Sequence, residues 1–275
     1  MRLIHSVADL RAHLAQERAI AFVPTMGNLH DGHIELVRIA KQRGCCVVVS
    51  IFVNPLQFGP NEDFDKYPRT LDADCAKLGS LADVVFAPSV DDMYPEQQTL
   101  YVEPPPIANE LCGAFRPGHF RGMATVVLKL FNLVQPQIAI FGKKDYQQLA
   151  IIRQMVTQFN LPIEIVGAET SRAADGLALS SRNQYLSPEE RTEAAHLYRI
   201  LTDVANELKA GAKDLAKIEL KASQALANRG WQVEYVAIRS QNGLSKPVAE
   251  EQKLVVVAAA RLGKTRLIDN LEVCL

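Results

Sequence analysis

The sequence predicts an α/β fold, in which a parallel sheet with helices on both faces is followed by a smaller α+β domain. Through the first two thirds of the chain, short apolar runs rich in β-branched residues alternate with stretches whose apolar residues recur at helical spacing. That alternation is typical of a doubly wound parallel sheet. No Gly-x-Gly-x-x-Gly is present, so the sheet is predicted to be Rossmann-like without the dinucleotide site of a dehydrogenase.

The elements of this sheet follow in order along the chain. Five apolar runs are predicted strands, at residues 20–23, 47–53, 84–87, 138–141 and 163–166. Four stretches between them are predicted helices, at residues 34–42, 71–78, 124–133 and 146–159. The segment 103–122 carries three successive prolines and a Pro-Gly pair, and it is predicted to be one long loop.

A second unit is predicted after Val166, so that residues 1–170 form the larger domain and 171–275 the smaller one. Ser187, Pro188 and Glu190 are the cap, first-turn proline and capping-box residue of a helix that continues to Gly211. A further helix is predicted at 215–228, with strands at 233–238, 254–259 and 266–268.

Composition excludes several classes of protein. With 275 residues and 48% hydrophobic content, the chain is long enough for one large core or for one large and one small. A net charge of −1 with scattered Lys and Arg does not predict a nucleic-acid or anionic-membrane surface. No signal pattern or apolar run of ~18 residues is present, so no membrane association and a cytoplasmic location are expected. Five cysteines without Cys-x-x-Cys spacing are expected to be reduced structural thiols.

The most informative segment, Pro24 to His33, joins the predicted strand 20–23 to the next helix. A strand that turns through Gly27 and Gly32 into a helix leaves backbone N–H groups and the positive end of the helix dipole at the turn, where an anion is stabilised. His30 and His33 can donate hydrogen bonds to phosphate oxygens. The segment therefore predicts a nucleotide-phosphate site whose imidazoles stabilise charge developing on phosphorus.

Other interpretations of these histidines stay open. A histidine is most often a surface residue or a satisfied core residue, and His-x-x-His also occurs in metal sites. A zinc site lacks an obvious third ligand nearby and the Glu of a His-Glu-x-x-His helix. The segment Gly263-Lys264-Thr265 resembles the end of a P-loop, but Ala258 stands where that motif requires glycine.

Two further polar segments follow predicted strands. Asn54 and Gln57 carry amides that both donate and accept hydrogen bonds, which suits a small hydroxylated or carboxylate ligand; turn chemistry alone also explains Asn54-Pro55. Residues 142–145 repeat the strand-turn-helix geometry, and Gln148 lies about one helical turn farther on. A lysine there can neutralise phosphate, although a solvated helix start capped by Asp145 is the alternative.

Two more segments offer cations. Ser180, Ser181 and Arg182 place two hydroxyls and a guanidinium in a short loop, a combination that binds phosphates, with an ordinary surface loop as the alternative. Arg116 and His119 either bring a cation and an imidazole over the site or form a simple turn.

Taken in this order and spacing, the motifs resemble the pantoate–β-alanine ligase family across essentially the whole chain. The matching patterns are Pro-Thr-Met-Gly-x-Leu-His-x-Gly-His at 24–33, Phe-Val-Asn-Pro-x-Gln-Phe at 52–58, Arg-Pro-Gly-His-Phe at 116–120, Phe-Gly-x-Lys-Asp-x-Gln-Gln at 141–148 and Asp-Gly-Leu-Ala-x-Ser-Ser-Arg-Asn at 175–183. The first and last are similar to the paired signatures of the wider nucleotidylyltransferase superfamily. Any one motif is shared, but the set is specific.

The resemblance implies an ATP-dependent ligation of (R)-pantoate to β-alanine through a pantoyl-adenylate, with release of AMP and pyrophosphate. It implies Mg²⁺ on the phosphates with few protein ligands, for which Asp74 is a weak candidate. It also implies a homodimer, with residues 1–170 binding ATP and pantoate and 171–275 forming a lid or dimer-side domain.

The resemblance assigns roles residue by residue. Those implied to be catalytic are His33, as the nominal proton donor, and His30, Lys144 and Arg182. Those implied to bind ATP are Met26, Gly27, Asn28, Leu29, His30, Asp31, Gly32, His33, Gly142, Lys143, Lys144, Asp145, Ser171, Leu179, Ser180, Ser181 and Arg182. Those implied to bind substrate are Gln57, Gln148 and Asn54. Family members often carry an apolar residue where Ser171 stands, and its backbone is expected to contact adenine.

Two rival functions are compatible with a nucleotide-phosphate site. A nucleotidylyltransferase would transfer the nucleotide, release pyrophosphate and stop there. A regulatory module would bind ATP and form no AMP with any pair of acid and amine.

Overall fold

The computed structural model describes residues 1–59, 64–65 and 67–275. The chain forms two compact units: unit 1 comprises Met1–Gly142 and Ile151–Ala168, and unit 2 comprises Lys143–Ala150 and Glu169–Leu275. The assignment of domains to 1–170 and 171–275 stays a prediction. Within the described residues, no helix combines the length and apolarity that crossing a membrane requires.

Unit 1 contains a parallel sheet with its connecting helices. Its described strands are β1 (Arg2–Ile4), β2 (Ile20–Thr25), β3 (Cys46–Ile51), β4 (Val84–Phe86), β5 (Ile138–Gly142) and β6 (Glu164–Ala168). Its described helices are α1 (Val7–Leu14), α2 (Asp31–Lys41), α3 (Leu71–Leu78), α4 (Val90–Met93), α5 (Cys112–Phe115) and α6 (His119–Val134). Helix α7 (Tyr146–Gln158) begins in unit 2 and ends in unit 1.

The strand order is β1-β4-β3-β2-β5-β6, and every described pair is parallel. This confirms the predicted doubly wound sheet. The strands are continuous apolar runs because both faces are covered: Ala21, Phe22 and Val23 of β2 are all fully buried. Strand β2 pairs with β3 on one side and β5 on the other. The order reverses there, and ligands of such sheets bind beyond the carboxyl ends of strands at that point.

Unit 2 contains a three-stranded antiparallel sheet covered by helices. Its described helices are α8 (Pro188–Ala194), α9 (His196–Lys209) and α10 (Leu215–Ala227), and its strands are β7 (Gln232–Ser240), β8 (Lys253–Leu262) and β9 (Thr265–Cys274). The smaller α+β region is confirmed. Gly263 and Lys264 form the two-residue turn between β8 and β9, with Gly263 at φ +55°, so the P-loop resemblance is excluded.

Several element predictions were wrong. Segment 103–122 is not one loop, since it contains α5 and the first four residues of α6. Gly118, at φ +80°, is the N-cap of α6, so the Pro-Gly pair marks a helix start. The single helix predicted from Ser187 to Gly211 is divided at Ala195 into α8 and α9. Strand β1 and helix α1 were not predicted, although Ser6 caps α1 by accepting from the backbone N–H of Asp9.

Candidate active site

The loop between β2 and α2 has a backbone that only glycine permits at its first bend. Gly27 has φ +81°, and a Cβ there would lie 3.0 Å from Ile51 Cγ2 and 3.1 Å from Asp74 Oδ2. Its N–H donates to Thr25 Oγ1 at 3.2 Å. A positive φ together with this close approach explains why the sequence places glycine immediately after Met26.

Helix α3 holds the same loop through two side chains one turn apart. The fully buried carboxylate of Asp74 accepts the backbone N–H groups of Asn28 at 2.9 Å and Leu29 at 2.7 Å, and the hydroxyl of Thr70 at 3.1 Å. The ammonium group of Lys77 donates to the carbonyl of Leu29 at 2.6 Å. The protein therefore uses both oxygens of Asp74 to fix the loop, which is a different task from the metal ligation considered for it.

His30 is the N-cap of helix α2 and His33 is its third residue, and their side chains form a capping box. His30 Nδ1 accepts from the N–H of Gly32 at 3.1 Å, and His33 Nδ1 accepts from the N–H of His30 at 3.3 Å. A neutral imidazole has one donor and one acceptor nitrogen, so the proton of each ring is on Nε2. The ring centroids lie 4.1 Å apart. The helix N-terminus thus carries two neighbouring Nε2–H donors where an anion is stabilised.

Asn54 and Gln57 follow β3, in and just before a 3-10 helix at Pro55–Gln57. Asn54 is buried, and its Oδ1 accepts from Tyr94 Oη at 2.8 Å and from the N–H of Leu56 at 3.3 Å. Its Nδ2 donates to Gln57 Oε1 and to the carbonyl of Gly122, each at 3.2 Å. All four hydrogen-bonding positions of the Asn54 amide are used by the protein.

The segment from Arg116 to Gly122 packs against the backbone of Leu56 and Gln57. The buried His119 ring donates from Nδ1 to the Gln57 carbonyl at 2.8 Å, and its Nε2 accepts from Arg116 Nη1 at 3.0 Å. A Cβ on Gly122 would lie 1.9 Å from the carbonyl oxygen of Leu56. The predicted cation and imidazole are therefore found in contact with each other and, through His119, with the backbone of the loop that carries Gln57.

In unit 2, two neighbouring lysines have different surroundings. Lys143 Nζ donates to Glu272 Oε2 at 2.7 Å and to Glu169 Oε1 at 2.5 Å. Burial lowers the pKa of Lys143, but these two carboxylates outweigh that effect and raise it above its ordinary value. Lys144 Nζ lies 3.7 Å from Asp145 Oδ2, and its charge also acts on the buried carboxylate of Asp269. Lys144 is the lysine with a weakly engaged ammonium group.

Strand β9 positions both polar segments of unit 2. Asn270 Nδ2 donates to the carbonyls of Lys143 and Lys144, each at 2.9 Å. Its neighbour Asp269 accepts two hydrogen bonds from Arg172, at 2.7 and 2.9 Å. Burial raises the pKa of Asp269, and the Arg172 guanidinium opposes that rise by favouring the carboxylate.

A short hairpin carries the serine–arginine segment. Leu179 N–H donates to the Ser171 carbonyl at 2.9 Å, and Arg172 pairs with Ala178. Ser180 then caps a 3-10 helix at Ser181–Tyr185 by accepting from the N–H of Arg182 at 3.3 Å. The amide oxygen of Asn183 is buried there without a hydrogen-bond partner among the described residues.

The predicted residues therefore fall into two sets, each held by its own unit. Those in unit 1 are Met26, Gly27, Asn28, Leu29, His30, Asp31, Gly32, His33, Asn54, Gln57 and Gly142; those in unit 2 are Lys143, Lys144, Asp145, Gln148, Ser171, Leu179, Ser180, Ser181 and Arg182. Sequence reasoning missed the residues that hold these segments, namely Lys77, Tyr94, Arg172, Asp269 and Asn270. No motif marks them, because each acts across a large sequence separation.

The comparisons with known proteins agree with the motif set. The family model for pantoate–β-alanine ligase matches residues 2–272. The chain belongs to this family. It is 59% identical to a pantothenate synthetase of Methylobacillus flagellatus over 99% of this chain and 98% of the relative, and 60% identical to one of Chromobacterium violaceum over 99% of each.

Solved structures of pantoate–β-alanine ligases have the same fold. A pantothenate synthetase from Thermus thermophilus superposes with a TM-score of 0.94 at 47% identity, with full coverage of both chains. A Francisella tularensis pantoate-beta-alanine ligase, solved in complex with beta-gamma ATP and beta-alanine, has a TM-score of 0.83 at 37% identity over 98% of this chain and 97% of that one. The predicted family, fold class and ligase activity are confirmed; the roles of individual site residues stay predictions.

Gly122→Ala tests how closely α6 must approach the loop that carries Gln57. The added Cβ would overlap Leu56, so the loop carrying Gln57 must move, and we expect the pantoate KM to rise about tenfold with a stability loss of ~1–3 kcal/mol. Steady-state kinetics and thermal unfolding measure the two effects. Gly113→Ala is the matched control, because its Cβ would lie 1.7 Å from the Ala108 carbonyl oxygen; it should lose stability without the same rise in KM. Equal KM values in both variants would contradict the account.

Asn270→Ala tests the support of the lysine turn. It removes two hydrogen bonds worth about 1 kcal/mol each, and we expect the ATP KM to rise roughly tenfold because the turn carrying Lys144 loses its support. Asn242→Ala, at an exposed position, is the matched control, and it should leave the ATP KM unchanged. An ATP KM unchanged by Asn270→Ala would show that the turn keeps its position without this side chain.

Proposed function

We propose that this enzyme joins (R)-pantoate to β-alanine in two steps through a pantoyl-adenylate, and releases pyrophosphate and then AMP. The observation that carries the proposal is the pair of Nε2–H donors at the N-terminus of α2, beside a glycine turn at the carboxyl end of β2. This arrangement stabilises a polyphosphate. The choice of pantoate as the acid substrate and β-alanine as the amine substrate rests on the set of family motifs.

In the first step, a carboxylate oxygen of pantoate attacks the α-phosphorus of ATP in line with the leaving group. The new P–O bond forms as the bond to the bridging oxygen breaks, and pyrophosphate leaves with that oxygen. We assign stabilisation of the charge on the phosphates to His30, His33, Lys144 and Arg182. The protein does little bond-making chemistry, so alignment and charge stabilisation supply most of the rate.

In the second step, the free amine of β-alanine attacks the acyl carbon of the adenylate. The bond from that carbon to the phosphate oxygen breaks, AMP leaves, and the amine gives up a proton as the amide forms. We assign pantoate binding to Gln57 and Gln148, with Gln57 also near β-alanine, and we assign Asn54 the support of Gln57. The adenosine contacts fall to Met26–Leu29, Gly142–Asp145 and the backbone of Ser171, and Leu179–Arg182 contact the triphosphate.

Magnesium enters this proposal as the counter-ion of ATP. Among the described residues, no group of three or more His, Cys, Asp or Glu side chains could hold a metal ion. The Asp74 carboxylate already accepts three hydrogen bonds, so the residues present do not fit a protein-held site there. Mg²⁺ commonly binds substrate phosphates and retains several waters.

Two further properties follow from the family resemblance. We propose that the enzyme is a homodimer and that it acts in the cytoplasm, where ATP is available. Sedimentation velocity of the purified enzyme tests the first of these, with a single species at twice the chain mass of 30.4 kDa expected.

Isotope exchange tests the proposed reaction. With ATP and Mg²⁺, labelled pyrophosphate should enter ATP only when pantoate is added, and AMP should accumulate only when β-alanine is added as well. Each component is omitted in turn as its own control. Pyrophosphate release without any amine-dependent AMP would favour a nucleotidylyltransferase, and ATP binding without exchange under any condition would favour a regulatory module.

A further inference from the structure

Tyr94 lies outside every motif of the sequence, yet it contacts Asn54 in the loop that carries Gln57. It follows α4 directly, and its hydroxyl donates to Asn54 Oδ1 at 2.8 Å. Its ring packs against Phe52 with centroids 6.1 Å apart, and Lys129 Nζ lies 4.6 Å from the ring centroid. Burial raises the pKa of Tyr94 well above its ordinary value, so the hydroxyl keeps its proton and remains a donor.

The hydrogen-bond partners of Asn54 determine the orientation of its side-chain amide. The N–H of Leu56 can only donate and the carbonyl of Gly122 can only accept, so these two groups fix which amide atom of Asn54 is oxygen and which is nitrogen. Asn54 Nδ2 must then donate to Gln57, whose amide oxygen accepts. The Gln57 amide nitrogen is therefore on the other side, where one of its two N–H groups donates to Met26 Sδ at 3.0 Å.

We propose that Tyr94 is a positioning residue that acts through Asn54 to hold the Gln57 amide in one orientation, with its N–H group toward the substrate. An N–H donor matches the carboxylate or hydroxyl oxygens of an acid such as pantoate, whereas a flipped amide would present an oxygen and repel a carboxylate. Tyr94 thus contributes to selection of the acid substrate without contacting it. The inference rests on the proposed assignment of Gln57 to pantoate.

A double-mutant cycle tests whether Tyr94 acts through Asn54 and Gln57. Tyr94→Phe keeps the ring and removes only the donor, and we expect the pantoate KM to rise about fivefold, the size of one lost hydrogen bond, with the ATP KM unchanged. In the Gln57→Ala background, the same substitution should have no further effect on the pantoate KM, because the residue through which Tyr94 acts is absent.

Tyr101→Phe is the matched control for loss of a tyrosine hydroxyl in the same unit. Tyr101 is partly exposed, and its ring lies under the Arg121 guanidinium at 4.1 Å; no change in either KM is expected. Thermal unfolding of all variants shows that each is folded at the assay temperature.

The outcomes separate this inference from the proposed function. If Gln57→Ala raises the pantoate KM but Tyr94→Phe does not, the inference is overturned and the proposed function stands. An equal effect of Tyr94→Phe in both backgrounds also overturns it, because Tyr94 would then act independently of Gln57. If Gln57→Ala leaves the pantoate KM unchanged, the assignment of Gln57 fails and the inference fails with it.

Discussion

Replacing His33 by alanine is expected to lower kcat for pantothenate formation by about 10²- to 10³-fold, the usual cost of losing one preorganised donor to developing charge. The Nδ1 atom of His33 accepts from the N–H of His30, which fixes the orientation of the ring, and we propose its Nε2–H as the catalytic donor. The substitution also removes half of the capping box at the start of α2, which should cost only ~0.5–2 kcal/mol of folding stability.

Single-turnover formation of the adenylate measures this effect at the step concerned. His196→Ala is the matched control, because His196 is also an imidazole in the first turn of a helix and is hydrogen-bonded to the Glu193 carbonyl, but it lies in no motif. It should leave kcat unchanged. His33→Gln should recover part of the loss if a neutral N–H donor is sufficient. Near-normal turnover in His33→Ala would refute the assignment.

Replacing Lys144 by alanine is expected to cost a similar factor of about 10²–10³ in kcat, while replacing Lys143 should cost mainly stability. Lys143 bonds two carboxylates, and Glu272 also accepts from Tyr146 Oη at 2.7 Å. Removing its ammonium group takes one partner from Glu272, at a cost on the order of 1–2 kcal/mol. Lys144 has no comparably close carboxylate among the described residues, so its charge is available to a phosphate.

The pair of variants is compared by kcat and by the midpoint of thermal unfolding. We expect Lys144→Ala to give the larger loss of kcat and Lys143→Ala the larger loss of thermal stability. The reverse order would mean that Lys143 leaves its carboxylates to bind ATP.

The central strands were predictable because a parallel sheet buried on both faces imposes a simple pattern. Residues 20–23 and 138–141 are apolar throughout, and both were predicted within two residues of the observed β2 and β5. Strand β1 has three residues of which only Ile4 is buried, so its sequence carries no strand pattern. It pairs with β4, about eighty residues away, and only the folded sheet shows that partner.

Strand β9 shows why buried polar residues prevent a strand from being predicted over its full length. Only 266–268 was predicted, but the strand continues to Cys274 through Asp269 and Asn270, both of which are buried. Buried polar residues interrupt the apolar alternation on which a strand prediction depends. The interruption exists because these two side chains hold Arg172 and the turn of Lys143 and Lys144.

The residues proposed to contact ligands have local signatures in the sequence, whereas the residues that support them have none. Glycine turns and histidines at a strand end have local signatures. The support of the first loop comes from Asp74, whose contacts to Asn28 and Leu29 span 46 and 45 residues. Asp74 was considered only as a metal ligand, because a carboxylate in a helix gives no sign in the sequence that it accepts distant backbone N–H groups.

A crystal structure with pantoate and a non-hydrolysable ATP analogue tests the central claim most directly. We expect phosphate oxygens within hydrogen-bond distance, about 2.7–3.2 Å, of Nε2 of both His30 and His33, with the pantoate carboxylate facing the α-phosphorus. A triphosphate bound away from the N-terminus of α2, with neither imidazole contacting it, would contradict the account.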